Sequence, residues 1–302
     1  MSGPTATETA AHVHAKETML KNSAARLSIL AAAFLILIKT GTGWLTGSIA
    51  VWASLLDSAM DIFASTINYF AVRAAARPPD DDHAYGHGKA ESLAGLFQAA
   101  VITLSGLFLI REAIRRLIQP HPTQAEVYGV ITMLIAIIVS IALVARLRRV
   151  AKLTDSPALS ADAVHFASDV WTNGGVLLAL LLISYTGWNI IDPLISIAIS
   201  IYILASALIV GRESVDVLMD RRLPPEVDEQ VAEIVSRFRR EGVHGFHDLR
   251  TRRSGSQKFI DLHLEVERGQ TLEEAHATSV RVLRTIEAEI SRAKVQIHTD
   301  PV

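Results

Sequence analysis

Cysteine is absent from the 302 residues. That excludes disulfides and thiolate metal sites, so any bound metal must be held by His, Asp, Glu or water. Charge of one sign is also missing. The 29 Lys and Arg nearly cancel the 31 Asp and Glu, leaving a formal net charge of -2, which argues against a general nucleic-acid binder. No His-Glu-x-x-His occurs, so the commonest zinc-hydrolase signature is missing. Gly86-His87-Gly88-Lys89 is not a phosphate loop, because His83 stands at the leading glycine position and Ala90 where Ser or Thr is required. The first 26 residues are polar, carry His12 and His14, and lack the hydrophobic region and cleavage site of a signal peptide. Residues 1–22 are expected to form a disordered tail.

Apolar residues are plentiful. They make up 50% of the chain, and the mean hydropathy is +0.32. Most fall within residues 27–210. A helix that crosses a bilayer needs about 20 mostly apolar residues. Six segments qualify: 27–45 with Lys39 inside it, 49–72, 93–110 with an extension toward 118, 127–145 without any charge, 163–185 and 191–210. Gly47-Ser48 and Thr186-Gly187 read as tight turns between spans. The expected fold is an α-helical membrane protein, with six transmembrane helices over 23–210 and a small cytoplasmic α+β domain over 211–302.

In the last third the periodicity changes. Residues 224–240 carry Val227, Val231, Ile234, Val235 and Phe238 at helical spacing. Two strand-like runs follow, 247–253 and 258–267, split by Ser254-Gly255-Ser256-Gln257. In the second, Ile260, Leu262, Leu264 and Val266 alternate with Asp261, His263 and Glu265, a half-buried strand with one wet face. Thr271 and Glu274 have the spacing of a capping box that opens a helix to about 292, and 295–298 is a final strand. The order α-β-β-α-β describes an open two-layer domain.

Ionisable residues inside the apolar spans are costly and mark ion paths. Asp57 and Asp61 lie in span two, His165 and Asp169 in span five, each pair spaced i, i+4 and so on one helical face. If spans two and five are neighbours, the four meet near mid-membrane as a ligand shell of oxygen and nitrogen donors. Such a shell suits Zn²⁺ and accepts Cd²⁺, Fe²⁺ or Co²⁺. The small residues Ser54, Ser58, Ala59, Ala167, Ser168 and Gly174-Gly175 allow close helix approach. Asp162, seven residues before Asp169, reads as a helix N-cap or a mouth residue. Metal binding needs ionised carboxylates and neutral imidazole, so metal and H⁺ compete for the site. Histidine titrates near neutrality, which makes His165 the proton carrier of choice.

Six spans place both termini on one side. That side carries Lys16, Lys21, Arg26, Arg73, Arg77, Lys89, Arg146, Arg148, Arg149, Lys152, Arg212, Arg221 and Arg222, against Arg111, Arg115 and Arg116 on the other. The positive-inside rule then puts both termini in the cytoplasm. The three exceptions are expected on a helical extension of span three.

The run from Asp80 through His83, His87 and Lys89 to Ser92 resembles the loop after span two in the cation diffusion facilitator family. Leu56-Asp57-Ser58-Ala59-Met60-Asp61 and His165-Phe166-Ala167-Ser168-Asp169 are similar to its transport motifs. His247-Asp248-Leu249-Arg250-Thr251-Arg252 and Ile297-His298-Thr299-Asp300-Pro301 resemble the tail of its bacterial zinc and ferrous-iron efflux branch. The resemblance covers nearly the whole chain from about residue 22. It implies a homodimeric, proton-coupled exporter of Zn²⁺-like ions in the bacterial inner membrane, with a metallochaperone-like tail. The implied transport site is Asp57, Asp61, His165 and Asp169. A loop site would use Asp80, His83 and His87. A binuclear tail site would use His247, His263, His276, His298 and Asp300. Lys89 would pair with Asp220 and steady the dimer. The eukaryotic zinc branch has His at the first Asp and a His-rich link between spans four and five. Here the link 146–161 has no His, which implies broader metal acceptance.

By residue type alone, the loop and tail groups are open to two readings, metal ligands or solvated surface side chains. Three other functions compete with transport. An intramembrane metalloenzyme needs an open coordination position and a general base, which a complete four-ligand shell does not offer. A metal-sensing scaffold leaves the charged central site without a purpose. Tight fourfold binding disfavours a passive channel, since conducted ions must also leave easily.

Overall fold

The computed structural model describes the backbone over residues 6–46, 49–119 and 127–302, with side chains over 15–42, 44, 58–119 and 127–302. The chain divides into two compact units, Met1–Val215 and Asp216–Val302. Among the described residues the first unit is built from six long helices: α1 Ala6–Thr46, α2 Ile49–Ala75, α3 Lys89–Ile118, α4 Val127–Thr154, α5 Pro157–Thr186 and α6 Ile191–Leu218. Within the side chains described, α1 and α3 to α6 are long and apolar enough to cross a membrane. The N-terminal part of α2 and the Gly47-Ser48 turn lie outside those side chains and residues.

Each helix outruns its apolar segment, and in α1, α3 and α5 polar partners at the ends explain why. Helix α1 runs from Ala6 through most of the stretch expected as a tail, and residues 1–5 lie outside the described residues. Lys21, only 8% exposed, donates to Glu91 Oε1 at 2.7 Å. Glu91 lies in the first turn of α3, and its other oxygen accepts from Ser156 Oγ at the start of α5. One carboxylate thus ties together α1, α3 and α5. Ser156 is also the true N-cap of α5, accepting from Leu159 N, with Pro157 at the first helical position. Asp155 takes a left-handed backbone (φ 46°), so the link between α4 and α5 needs only two residues. Gly187 (φ 74°) caps the other end of α5.

Arg111, Arg115 and Arg116 do sit on a helical extension of span three. Arg116 pairs with the buried Asp192 of α6 at 2.9 Å and with Glu112 at 3.3 Å, and Arg115 lies 3.6 Å from Glu112. Two of the three exceptions to the charge asymmetry are therefore paired with carboxylates.

Small side chains hold the helices together. The largest buried cluster joins Ala24, Ala25, Ala31 and Ala32 of α1 to Leu143, Leu147 and Val150 of α4, and to Ala158, Leu159, Ala163 and Phe166 of α5. Of the Gly174-Gly175 pair only Gly175 makes a close approach; a side chain there would meet Ile199 of α6, whereas Gly174 faces open space. Leu104, Leu107, Phe108, Ile138, Ile141, Leu208 and Ile209 point outward, as lipid-facing side chains do.

The second unit has α7 Pro225–Ser236, a short 3-10 turn Arg239–Glu241, β1 Val243–Ser254, β2 Gln257–Val266, α8 Leu272–Glu289 and β3 Ala293–Pro301. The sheet order is β1-β2-β3, antiparallel then parallel. Ile260, Leu262, Leu264 and Val266 turn inward against Val231, Ile234 and Val235 of α7 and Val282 and Ile286 of α8. Thr271 and Glu274 form the expected capping box.

Candidate metal centres

The helical face bearing Asp61 meets the face bearing His165 and Asp169. His165 Nε2 lies 3.0 Å from Asp61 Oδ1, and His165 is only 4% exposed. One ligand atom each of Asp61, His165 and Asp169 lies within 4.8 Å of the others, a span that one divalent ion can bridge. Asp57 is in α2 one turn before Asp61, but its side chain is outside those described. Asp162 is neither a cap nor a mouth residue. It lies inside α5, fully buried, and Ser28 Oγ of α1 donates to its Oδ2 at 2.5 Å. The cap reading failed because Ser156, six residues earlier, already starts the helix.

In the loop before α3, Asp80, His83 and His87 come together. The His83 backbone N–H donates to Asp80 Oδ1 at 2.7 Å, and His87 Nε2 lies 3.2 Å from Asp80 Oδ2. Gly86 (φ 81°) closes this turn through its N–H to the His83 carbonyl. The His83 backbone bond, helped by the two imidazoles, holds the Asp80 carboxyl below its ordinary value. A carboxylate and two imidazoles facing one space have the donor types that suit a borderline divalent ion.

In the tail, strand register aligns His247 with His263 and His263 with His298, so three imidazoles form a row across the sheet. Asp300 touches all three. Its Oδ2 lies 2.9 Å from His263 Nδ1 and 3.3 Å from His247 Nε2, and its Oδ1 lies 3.3 Å from His298 Nε2. The His263 hydrogen bond and the neighbouring imidazoles hold Asp300 below its ordinary value. Among the described residues His276 is not part of this cluster; it is exposed on α8. Lys89 opens α3 and Asp220 lies in the second unit, 3.3 Å from Arg252.

Two residues absent from the expected ligand set stand beside the row. Glu265 Oε1 lies 3.2 Å from His247 Nδ1. Period-two spacing from His263 along the wet face of β2 was the signal for it. Asp248 groups with His247 and His263. It has a left-handed backbone (φ 49°) at a register shift between His247 and Arg250. Alternation along a regular strand sends neighbours to opposite faces, so only the bulge brings Asp248 to the same face as His247.

Comparison with known proteins agrees with both units. The family model of the cation efflux transmembrane domain matches residues 25–219, and that of the cation efflux protein cytoplasmic domain matches 223–302. The chain is 44% identical over 282 residues to the cation-efflux pump FieF of Klebsiella pneumoniae, covering 93% of each chain. It matches the FieF pumps of Citrobacter koseri and Escherichia coli with the same identity and coverage. With family models matching residues 25–219 and 223–302, the chain belongs to the cation efflux, or cation diffusion facilitator, family, and is a membrane cation-efflux transporter rather than an enzyme.

Proposed function

We propose that this transporter exports Zn²⁺, and with it Cd²⁺, Fe²⁺ or Co²⁺, in exchange for H⁺ at a site made of Asp57, Asp61, His165 and Asp169. The observation that carries the reading is the 3.0 Å contact between His165 Nε2 and Asp61 Oδ1, with Asp169 alongside, between two membrane helices. Three carboxylates and one imidazole attract a divalent ion. The same atoms bind protons, so protonation from one side expels metal and metal binding expels protons. His165, in contact with Asp61, is the group that passes from imidazolium to metal ligand. Alternating access then requires α2 and α5 to present the same four residues to each face in turn.

The tail acts in the cytoplasm, where the basic residues near the membrane put both termini. It pairs with the tail of a second copy in a homodimer, in keeping with the match to the cytoplasmic domain of cation efflux proteins. Metals held by His247, His263, His298 and Asp300, with His276 drawn in from α8, bias that pairing. Asp80, His83 and His87 form the loop site.

The test is Zn²⁺-dependent proton flux in proteoliposomes, wild type against Asp61→Ala. Flux in the wild type alone supports antiport through the central site. Equal flux in both overturns it. Zn²⁺ flux that survives collapse of the proton gradient overturns the coupling.

A further inference from the structure

Lys39 lies inside the apolar segment of α1, where a charged side chain needs a partner. Its Nζ donates to Ser58 Oγ of α2 at 2.7 Å. Ser58 is buried, stands next to Asp57 in the chain and comes three residues before Asp61. Residues spaced i, i+3 on a helix have side chains about 5–6 Å apart, so the Ser58 bond anchors the ammonium within about one turn of the Asp61 carboxylate. Serine is short and uncharged. It therefore fixes where the charge sits without neutralising it.

We propose that Lys39 is the charge-balancing residue of the transport site, a tethered cation that acts through the carboxylates and never ligates metal. The proposal rests on the reading of Asp57, Asp61, His165 and Asp169 as that site. Three carboxylates carry -3, a divalent ion +2 and the lysine +1, so the loaded ligand set with Lys39 is electroneutral. Without the lysine, a low-dielectric membrane interior holds a net charge in the loaded site and a larger one in the empty site. The cation therefore has two effects. It makes the empty carboxylates less costly to keep ionised, and it weakens the hold on metal so that the ion can leave. A transporter needs both, because release is as necessary as capture.

The experiment measures Zn²⁺ uptake kinetics in proteoliposomes for wild type, Lys39→Met, Lys39→Arg and Asp61→Ala. Methionine keeps the length and packing of lysine without its charge. The expected result for Lys39→Met is an apparent KM about tenfold lower and a maximal rate about tenfold lower, with Lys39→Arg near wild type on both. A lost packing contact would lower the rate without tightening the KM. An unchanged or raised KM in Lys39→Met overturns the proposal, as does Lys39→Arg behaving like Lys39→Met. Should Lys39→Met fail to insert, Lys39→Gln serves instead. It removes the charge while keeping a polar side chain, and a lowered KM there supports the proposal whereas an unaltered or raised KM overturns it. Loss of uptake in Asp61→Ala together with wild-type kinetics in Lys39→Met sinks the role of Lys39 and leaves the central site standing. Full uptake in Asp61→Ala sinks the reading beneath it.

Discussion

The chain gathers metal-ligating side chains in the membrane and again in the tail, and the two assemblies are built in opposite ways. Between α2 and α5 the set is led by carboxylates, with a single imidazole that is almost wholly buried. Across β1, β2 and β3 it is led by imidazoles around one carboxylate, with His247, His263 and His298 side chains 46%, 37% and 66% exposed. Burial makes every unpaired charge in the first set expensive, so its members depend on one another. Water substitutes for any lost partner in the second, so its members act more nearly one at a time. A site that must fill and empty on each cycle benefits from the first arrangement, and one that holds metal as a signal benefits from the second.

The sharpest way to break this comparison is to remove one carboxylate from each set. Asp61→Ala leaves the buried His165 without its 3.0 Å partner. Since breaking a buried pair costs about 3–5 kcal/mol, flux is expected to fall more than about a hundredfold. Asp300→Ala removes a half-exposed carboxylate whose contacts are screened by water, so flux stays within about fivefold. Proteoliposome uptake rates decide, and equal losses would erase the distinction between the two regions.

Within the tail, His263 is the middle of the row and adjoins both outer imidazoles. His263→Ala is expected to lower tail-bound metal by more than either His247→Ala or His298→Ala, with transport within about fivefold of wild type. Metal stoichiometry of the purified full chain checks it. Equal effects from all three would mean that the histidines bind as separate surface ligands.

Much of this was legible in the sequence because it depends on local period. The i, i+4 spacings in apolar segments announced the meeting of Asp61 with His165 and Asp169. Alternation in β2 and the Thr271–Glu274 spacing announced the tail. What stayed hidden depends on contacts between distant segments. Hydropathy ends helices where polar residues begin, yet Lys21 and Glu91 extend α1 and α3 because they bury each other. Asp162 resembled a cap because its bond to Ser28 crosses 134 positions of chain. Asp248 depends on a bulge, and bulges leave no mark on alternation.

Packing offers a smaller test. Gly175→Ala must displace Ile199, and overpacking costs about 1–3 kcal/mol. Gly174→Ala meets nothing within 4 Å and gains helix propensity instead. Thermal unfolding in detergent is expected to drop for the first and hold or rise for the second. No such adjacent contrast is expected at Gly269 in the tail, where a Cβ also meets nothing.

The smallest effect is confined to acid. Asp300 is held below its ordinary value by His263 and its neighbours, so its folded pKa is below its unfolded one. Its contribution to tail stability is complete above the unfolded value, about 4, and is lost as pH falls through the folded value. Asp300→Asn has no such titration. Calorimetry of the metal-free protein between about pH 6 and pH 3 should show the wild-type advantage over Asp300→Asn shrinking below about pH 4. The contacts are solvent-exposed and screened, so the change is small, and raised salt should shrink it further. An advantage that persists undiminished at pH 3 would mean that Asp300 stabilises the tail by shape and neutral hydrogen bonding. The tail row would then resemble the buried centre, where geometry and charge cannot be separated.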